Sequence, residues 1–78
     1  VWHLPLWSGY KSELSSNHAD LNNTGTSPAG AITAALFLNE FVSAKTPWIH
    51  IDHYAWEPYG RAGRAKGGLD QSLRTMLA

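Results

Sequence analysis

ADLNNTGTSPAGAITAALFLNEF, residues 19–41, joins a polar, turn-rich loop to a segment that is apolar on nearly every side. Asn, Asp, Thr, Gly and Ser cluster over residues 17–27, as turns require. Ser27-Pro28 then reads as a helix start: Ser offers its oxygen to free backbone N–H groups, and Pro at the first helical position has no N–H to leave unpaired. The spacing predicts a helix over residues 28–43. Ile32, Ala35, Leu36 and Asn39 mark one stripe; Ala31, Ala34, Leu38, Phe41 and Val42 fill another. Only Thr33, Asn39 and Glu40 interrupt the apolar surface, so two faces need covering. A lone helix of that kind is insoluble, which places the segment inside a larger body.

Before it, residues 1–6 read as an edge strand or extended lead-in limited by Pro5. Ser8 is a candidate N-cap for a short helix over residues 9–16, with Tyr10 and Leu14 on one side. After it, Lys45-Thr46-Pro47 ends the long helix. Residues 48–53 read as a strand with Trp48, His50 and Asp52 on one side and Ile49, Ile51 and His53 on the other. Residues 57–68, rich in Gly and Pro, read as a long loop. Leu69, Leu73, Met76 and Leu77 recur at helical spacing and predict a final amphipathic helix.

Composition narrows the class. A 78-residue chain allows one domain. A domain of that size buries only about 60% of the surface its unfolded chain exposes. Four Trp, three Tyr and two Phe suit the edge of a bigger core. Without Cys there is neither a disulfide nor a thiolate metal site. Six Lys/Arg against six Asp/Glu argue against nucleic acid or an anionic membrane as main partner. No apolar run reaches the roughly 18 residues of a membrane span, and no signal-peptide pattern opens the chain. Val1-Trp2-His3, without Met and already apolar, reads as a cut through a longer polypeptide.

Several short motifs together resemble one family. Ala19-Asp20-Leu21-Asn22-Asn23, a Gly-containing loop, then Ala29-Gly30-Ala31-Ile32-Thr33-Ala34-Ala35 and Phe37-Leu38 are similar to the last part of the leucyl aminopeptidase (cytosol aminopeptidase) family. Trp2-His3-Leu4-Pro5-Leu6-Trp7 resembles its W-x-[LM]-P-L-[FW] segment. Pro47-Trp48-Ile49-His50-Ile51-Asp52 resembles its W-x-H-[LIF]-D strand. The resemblance implies an α/β fold: residues 1–78 as the C-terminal segment of a mixed-sheet metallopeptidase catalytic domain, an incomplete domain with helices packed on the sheet.

It also implies a function for the parent protein: release of N-terminal amino acids from peptides in the cytoplasm, by a hexamer using two divalent ions, manganese or zinc. The family's metal-binding signature, N-T-D-A-E-G-R, does not occur here and is expected upstream of Trp2. No catalytic residue and no metal ligand is therefore carried onto this chain, and the segment alone is expected to be inactive and to bind no metal. Its expected partners are peptide substrates, the rest of the catalytic domain and other subunits, not nucleic acid or membrane.

The candidate site residues follow. The segment after the W-x-H-x-D strand lines the family's pocket for the substrate's first side chain, so Tyr54, Ala55 and Trp56 are candidate pocket residues. Asp20, Asn22, His50 and Asp52 are candidates for supporting positions behind the metal site. His50, Asp52 and His53 form a tempting zinc cluster. On a strand His50 and Asp52 share a face and His53 points away, too few donors for a site. Asp20, entering a loop, is expected to hold nearby backbone N–H groups. Arg61-Ala62-Gly63-Arg64-Ala65-Lys66-Gly67-Gly68 is either a phosphate cradle or a solvated loop; it lacks Walker spacing. Ser8, Ser15, Ser16 and Ser27 lie outside any G-x-S-x-G elbow and read as caps. The alternative to the peptidase is a small non-catalytic interaction domain with an aromatic ligand surface. A nucleic-acid module built on the Arg61–Lys66 loop is a third reading.

Overall fold

Backbone conformation at Ala29 decides where the main helix begins. In the computed structural model, which describes residues 1–25 and 28–78, Ala29 sits in the left-handed region with φ 68°. A right-handed helix cannot run through such a residue, so α1 spans Gly30–Asn39. It starts later than residue 28, and Pro28 stands outside it. The expected Ser27 cap lies outside the described residues. At the other end the chain tightens into i→i+3 turns: Phe41 N–H donates to Leu38 O at 3.0 Å and Val42 N–H to Asn39 O at 3.3 Å. The helix therefore stops short of residue 43.

Ahead of α1, Ser8–Leu14 forms a 3₁₀ helix. Ser8 is its first residue rather than its cap; Trp7 holds the cap position without a side-chain bond. A Cβ at Gly9 would lie 2.5 Å from the Trp7 indole, so a side chain there would push that ring from its place. That indole meets the Tyr10 ring edge-on, centroids 4.9 Å apart. The 3₁₀ helix packs on α1, and Lys11 Nζ reaches Glu40 Oε1 at 2.8 Å across the pair.

The core lies between these two helices. Leu14, Ala35 and Leu36 are 3, 3 and 2% exposed, with Thr33 buried beside them. The Thr33 hydroxyl donates to Ala29 O at 3.3 Å, which satisfies it. Of the two stripes read from the sequence, the one carrying Ala35 and Leu36 is covered. Along the other, Ala34, Leu38 and Phe41 are exposed.

No strand forms over residues 48–53. A strand needs a neighbour for its N–H and C=O groups, and among the described residues none pairs with this segment. The sheet that does form is a two-stranded antiparallel one, β1 Trp56–Glu57 with β2 Gly67–Gly68, in the register Trp56↔Gly68 and Glu57↔Gly67. A mixed sheet is not present among the described residues. The expected loop over residues 57–68 is thus a hairpin. The last helix, α2, is only Leu73–Leu77. Leu69 stays outside it because Ser72, at φ 62°, is left-handed and a right-handed helix cannot run through it; the Leu69 N–H donates to Ala55 O at 2.8 Å. Leu73, Met76 and Leu77 are exposed, so α2 closes no face.

Helices and a small sheet leave much of the chain uncovered. The accessible surface is 6672 Å², where a self-contained 8.6 kDa protein has about 4,700 Å². The radius of gyration is 15.7 Å, against about 11.5 Å for a compact 78-residue domain. No helix is long and apolar enough to cross a membrane among the described residues.

Candidate functional site

The candidate pocket residues 54–56 lie at the entry to the β1–β2 hairpin, and Ala55 is the pivot. Its φ of 53° is left-handed, a conformation that costs an Ala about 1 kcal/mol or more. Two hydrogen bonds hold it there. Ala55 N–H donates to Gln71 Oε1 at 3.1 Å, and Ala55 O accepts from Leu69 N–H at 2.8 Å. Ala55 itself is half-buried, while Tyr54 and Trp56 are open to solvent. The pivot leaves both rings available to whatever lies against this face.

The hairpin beyond is closed by a tight turn. Arg61 and Arg64 exchange both backbone bonds, Arg61 N–H to Arg64 O at 2.9 Å and Arg64 N–H to Arg61 O at 2.8 Å. Gly63, at φ 77°, takes the turn position that a side chain would strain. Arg61 Nε pairs with Glu57 Oε2 at 3.0 Å, fixing the turn to β1.

The four supporting candidates differ in burial and partners. Asp20 is exposed, with no hydrogen bond or ion pair among the described residues. The turn work expected of it is done by neighbours: Ser16 Oγ accepts from His18 N–H at 3.2 Å and Ala19 N–H at 3.1 Å. Asn22 is better placed. Its N–H donates to Leu14 O at 2.8 Å and its Oδ1 accepts from Thr24 N–H at 3.1 Å. It ties the loop to the core helix and shapes the turn that follows.

His50 is half-buried, and its Nε2 is sealed from solvent with no partner among the described residues. Asp52 and His53 are exposed. The segment forms no strand, and His50 and Asp52 differ in burial. No group of three or more His, Asp or Glu side chains comes together among the described residues. The donors present therefore do not make a ligand set for a metal ion.

Two contacts were not legible in advance. Gln71 is sixteen residues from Ala55 and carries no local signal of its role. Trp48 donates its indole N–H to Asn39 Oδ1 at 3.0 Å, which returns the segment before His50 to the end of α1. A shallow cleft of about 360 Å³ also opens beside the core, lined by Leu14, Asn23, Thr33, Phe37 and Leu38.

Residues 1–77 match the family model described as the cytosol aminopeptidase family, catalytic domain. The chain is 48% identical over 79 residues to a probable cytosol aminopeptidase of Prochlorococcus marinus (strain MIT 9313), covering 99% of this chain and 16% of that protein. It is 46% identical over 79 residues to one of Synechococcus sp. (strain RCC307), with the same coverage. It is 51% identical over 78 residues to one of Chromohalobacter salexigens, covering 94% of this chain and 15% of that protein. The chain thus spans about a sixth of the length of these curated relatives. No solved structure matches.

Proposed function

Because the chain belongs to the cytosol aminopeptidase family, we propose that it is the C-terminal segment of the catalytic domain of a metal-dependent aminopeptidase, which releases N-terminal amino acids from peptides in the cytoplasm. The observation that carries this is identity of nearly one residue in two across almost the whole segment. The two divalent ions, manganese or zinc, belong to the rest of the catalytic domain. No metal chemistry is assigned to the residues here.

The segment's own part is scaffold and pocket wall. Tyr54, Ala55 and Trp56 contribute a wall for the substrate's first side chain. The clamp on Ala55 and the exposure of both rings support that assignment. Asn22 and His50 act behind the site, with Asp20 and Asp52 on the same supporting segments. The sealed, unpartnered Nε2 of His50 is what an imidazole looks like when its partner comes from elsewhere in a larger domain. Exposed Trp7 and Phe41 would serve contacts with the remaining domain and between subunits of a hexamer.

The test is turnover of a leucine anilide by the full-length polypeptide and by the segment alone, each with manganese or zinc. Turnover by the full chain only is expected. An inactive full-length, metal-loaded chain would refute the peptidase reading; an active isolated segment would refute its role as scaffold.

A further inference from the structure

We propose that the cleft between the Arg61–Arg64 turn and α2 is a binding site for a small phosphate-bearing anion. The cleft has a volume of about 560 Å³ and is lined by Arg64, Lys66, Asp70, Gln71, Ser72 and Arg74, among others. The sequence around Arg61–Gly68 left a phosphate cradle and a solvated loop both open. The fold separates its cations into two groups.

Arg61 is committed, at 3.0 Å, to Glu57 and does not line the cleft. Arg64 and Lys66 do line it, and neither makes an ion pair among the described residues. Arg74 is held only loosely, its Nε 4.0 Å from Asp70 Oδ2 with both side chains well exposed. The lining therefore carries three cations against one carboxylate.

A second observation is independent of charge. Gln71, in the cleft lining, spends its Oε1 on Ala55, which leaves its NH₂ group to donate. Guanidinium, ammonium and amide donors around one cavity complement an oxyanion. The lining has no aromatic residue and so no platform for stacking bases. With a net charge of zero on the chain as a whole, a small anion fits better than a nucleic-acid strand.

The experiment is calorimetric titration of the full-length, metal-loaded protein with pyrophosphate at fixed ionic strength, in two forms, unaltered and R64Q/K66Q. Circular dichroism melts establish that the variant is folded. Saturable binding is expected, weakened about tenfold or more in R64Q/K66Q by loss of two charge-assisted contacts. Phosphate held by metal ions elsewhere in the protein would not respond to the variant. Binding unchanged in folded R64Q/K66Q, or no saturable binding at all, overturns the proposal. The outcome does not depend on whether the protein cleaves peptides.

Discussion

Trp48 and Asn39 are joined by a single side-chain hydrogen bond, indole Nε1–H to Oδ1 at 3.0 Å, that spans nine residues. It closes the turn after α1 and sets the direction in which the chain leaves toward His50. Both side chains are partly buried, so the bond is shielded from competing water. Asn39→Ala in the full-length protein is expected to cost about 1 kcal/mol, and Trp48→Phe somewhat more because it also removes packing. A double-mutant cycle by chemical denaturation measures the coupling. Strictly additive effects would mean that the bond contributes nothing.

Leu36 is the most deeply buried side chain, at 2% exposure, and it packs in the small core with Leu14. Leu36→Ala leaves a cavity with few neighbours to fill it. A loss of about 2–5 kcal/mol is expected, read as a lower denaturation midpoint with an unchanged slope. The measurement is made on the full-length protein, and a loss below about 1 kcal/mol there would mean that the Leu36 side of α1 is not a packed core.

How far these elements could be read in advance depended on where each finds its partners. Leu14, Ala35 and Leu36 were legible because helical periodicity carries its own pairing; every backbone bond of α1 is local. The ends of α1 were not, because Ala29 has no sequence mark of a left-handed conformation, which Gly or Asn would have given. Residues 48–53 have good strand composition, yet a strand is made by its neighbour, and none lies alongside among the described residues. The hairpin was missed for the opposite reason. Gly67 and Gly68 look like loop, but they supply β2. At the candidate site, Tyr54, Ala55 and Trp56 came from motif position, while the Gln71 clamp is a long-range contact with no short-range signature.

Ala55 gives a sharper test of the pocket wall, because its backbone is strained in a known sense. Ala55→Gly keeps the φ of 53° at lower steric cost, so stability should change by less than about 1 kcal/mol. Ala55→Val places a β-branched side chain at positive φ and is expected to cost about 1–3 kcal/mol. If residues 54–56 line the pocket, Val should also shift the preference among leucine, alanine and phenylalanine anilides, seen in kcat/KM ratios. Equal losses for all three substrates would leave Ala55 a structural pivot only.

The final prediction concerns the segment as an isolated polypeptide. Its accessible surface of 6672 Å² exceeds the expectation for a self-contained protein of its mass by about 2,000 Å². That excess is comparable to the surface buried in a whole standard protein–protein interface, about 1,600 Å². Trp2, Phe41 and Leu77 are 87, 69 and 77% exposed, so much of it is apolar. Such surface associates rather than staying in water. Sedimentation of the purified 78-residue chain should therefore show concentration-dependent self-association, with strong anilinonaphthalene sulfonate fluorescence and no cooperative thermal transition. Adding the complementary remainder of the polypeptide should suppress all three signs together, since one surface causes them. A monodisperse monomer that melts cooperatively and ignores the dye would instead describe a domain that satisfies itself, and would favour a free-standing interaction module with aromatic contacts over a piece of a peptidase interior.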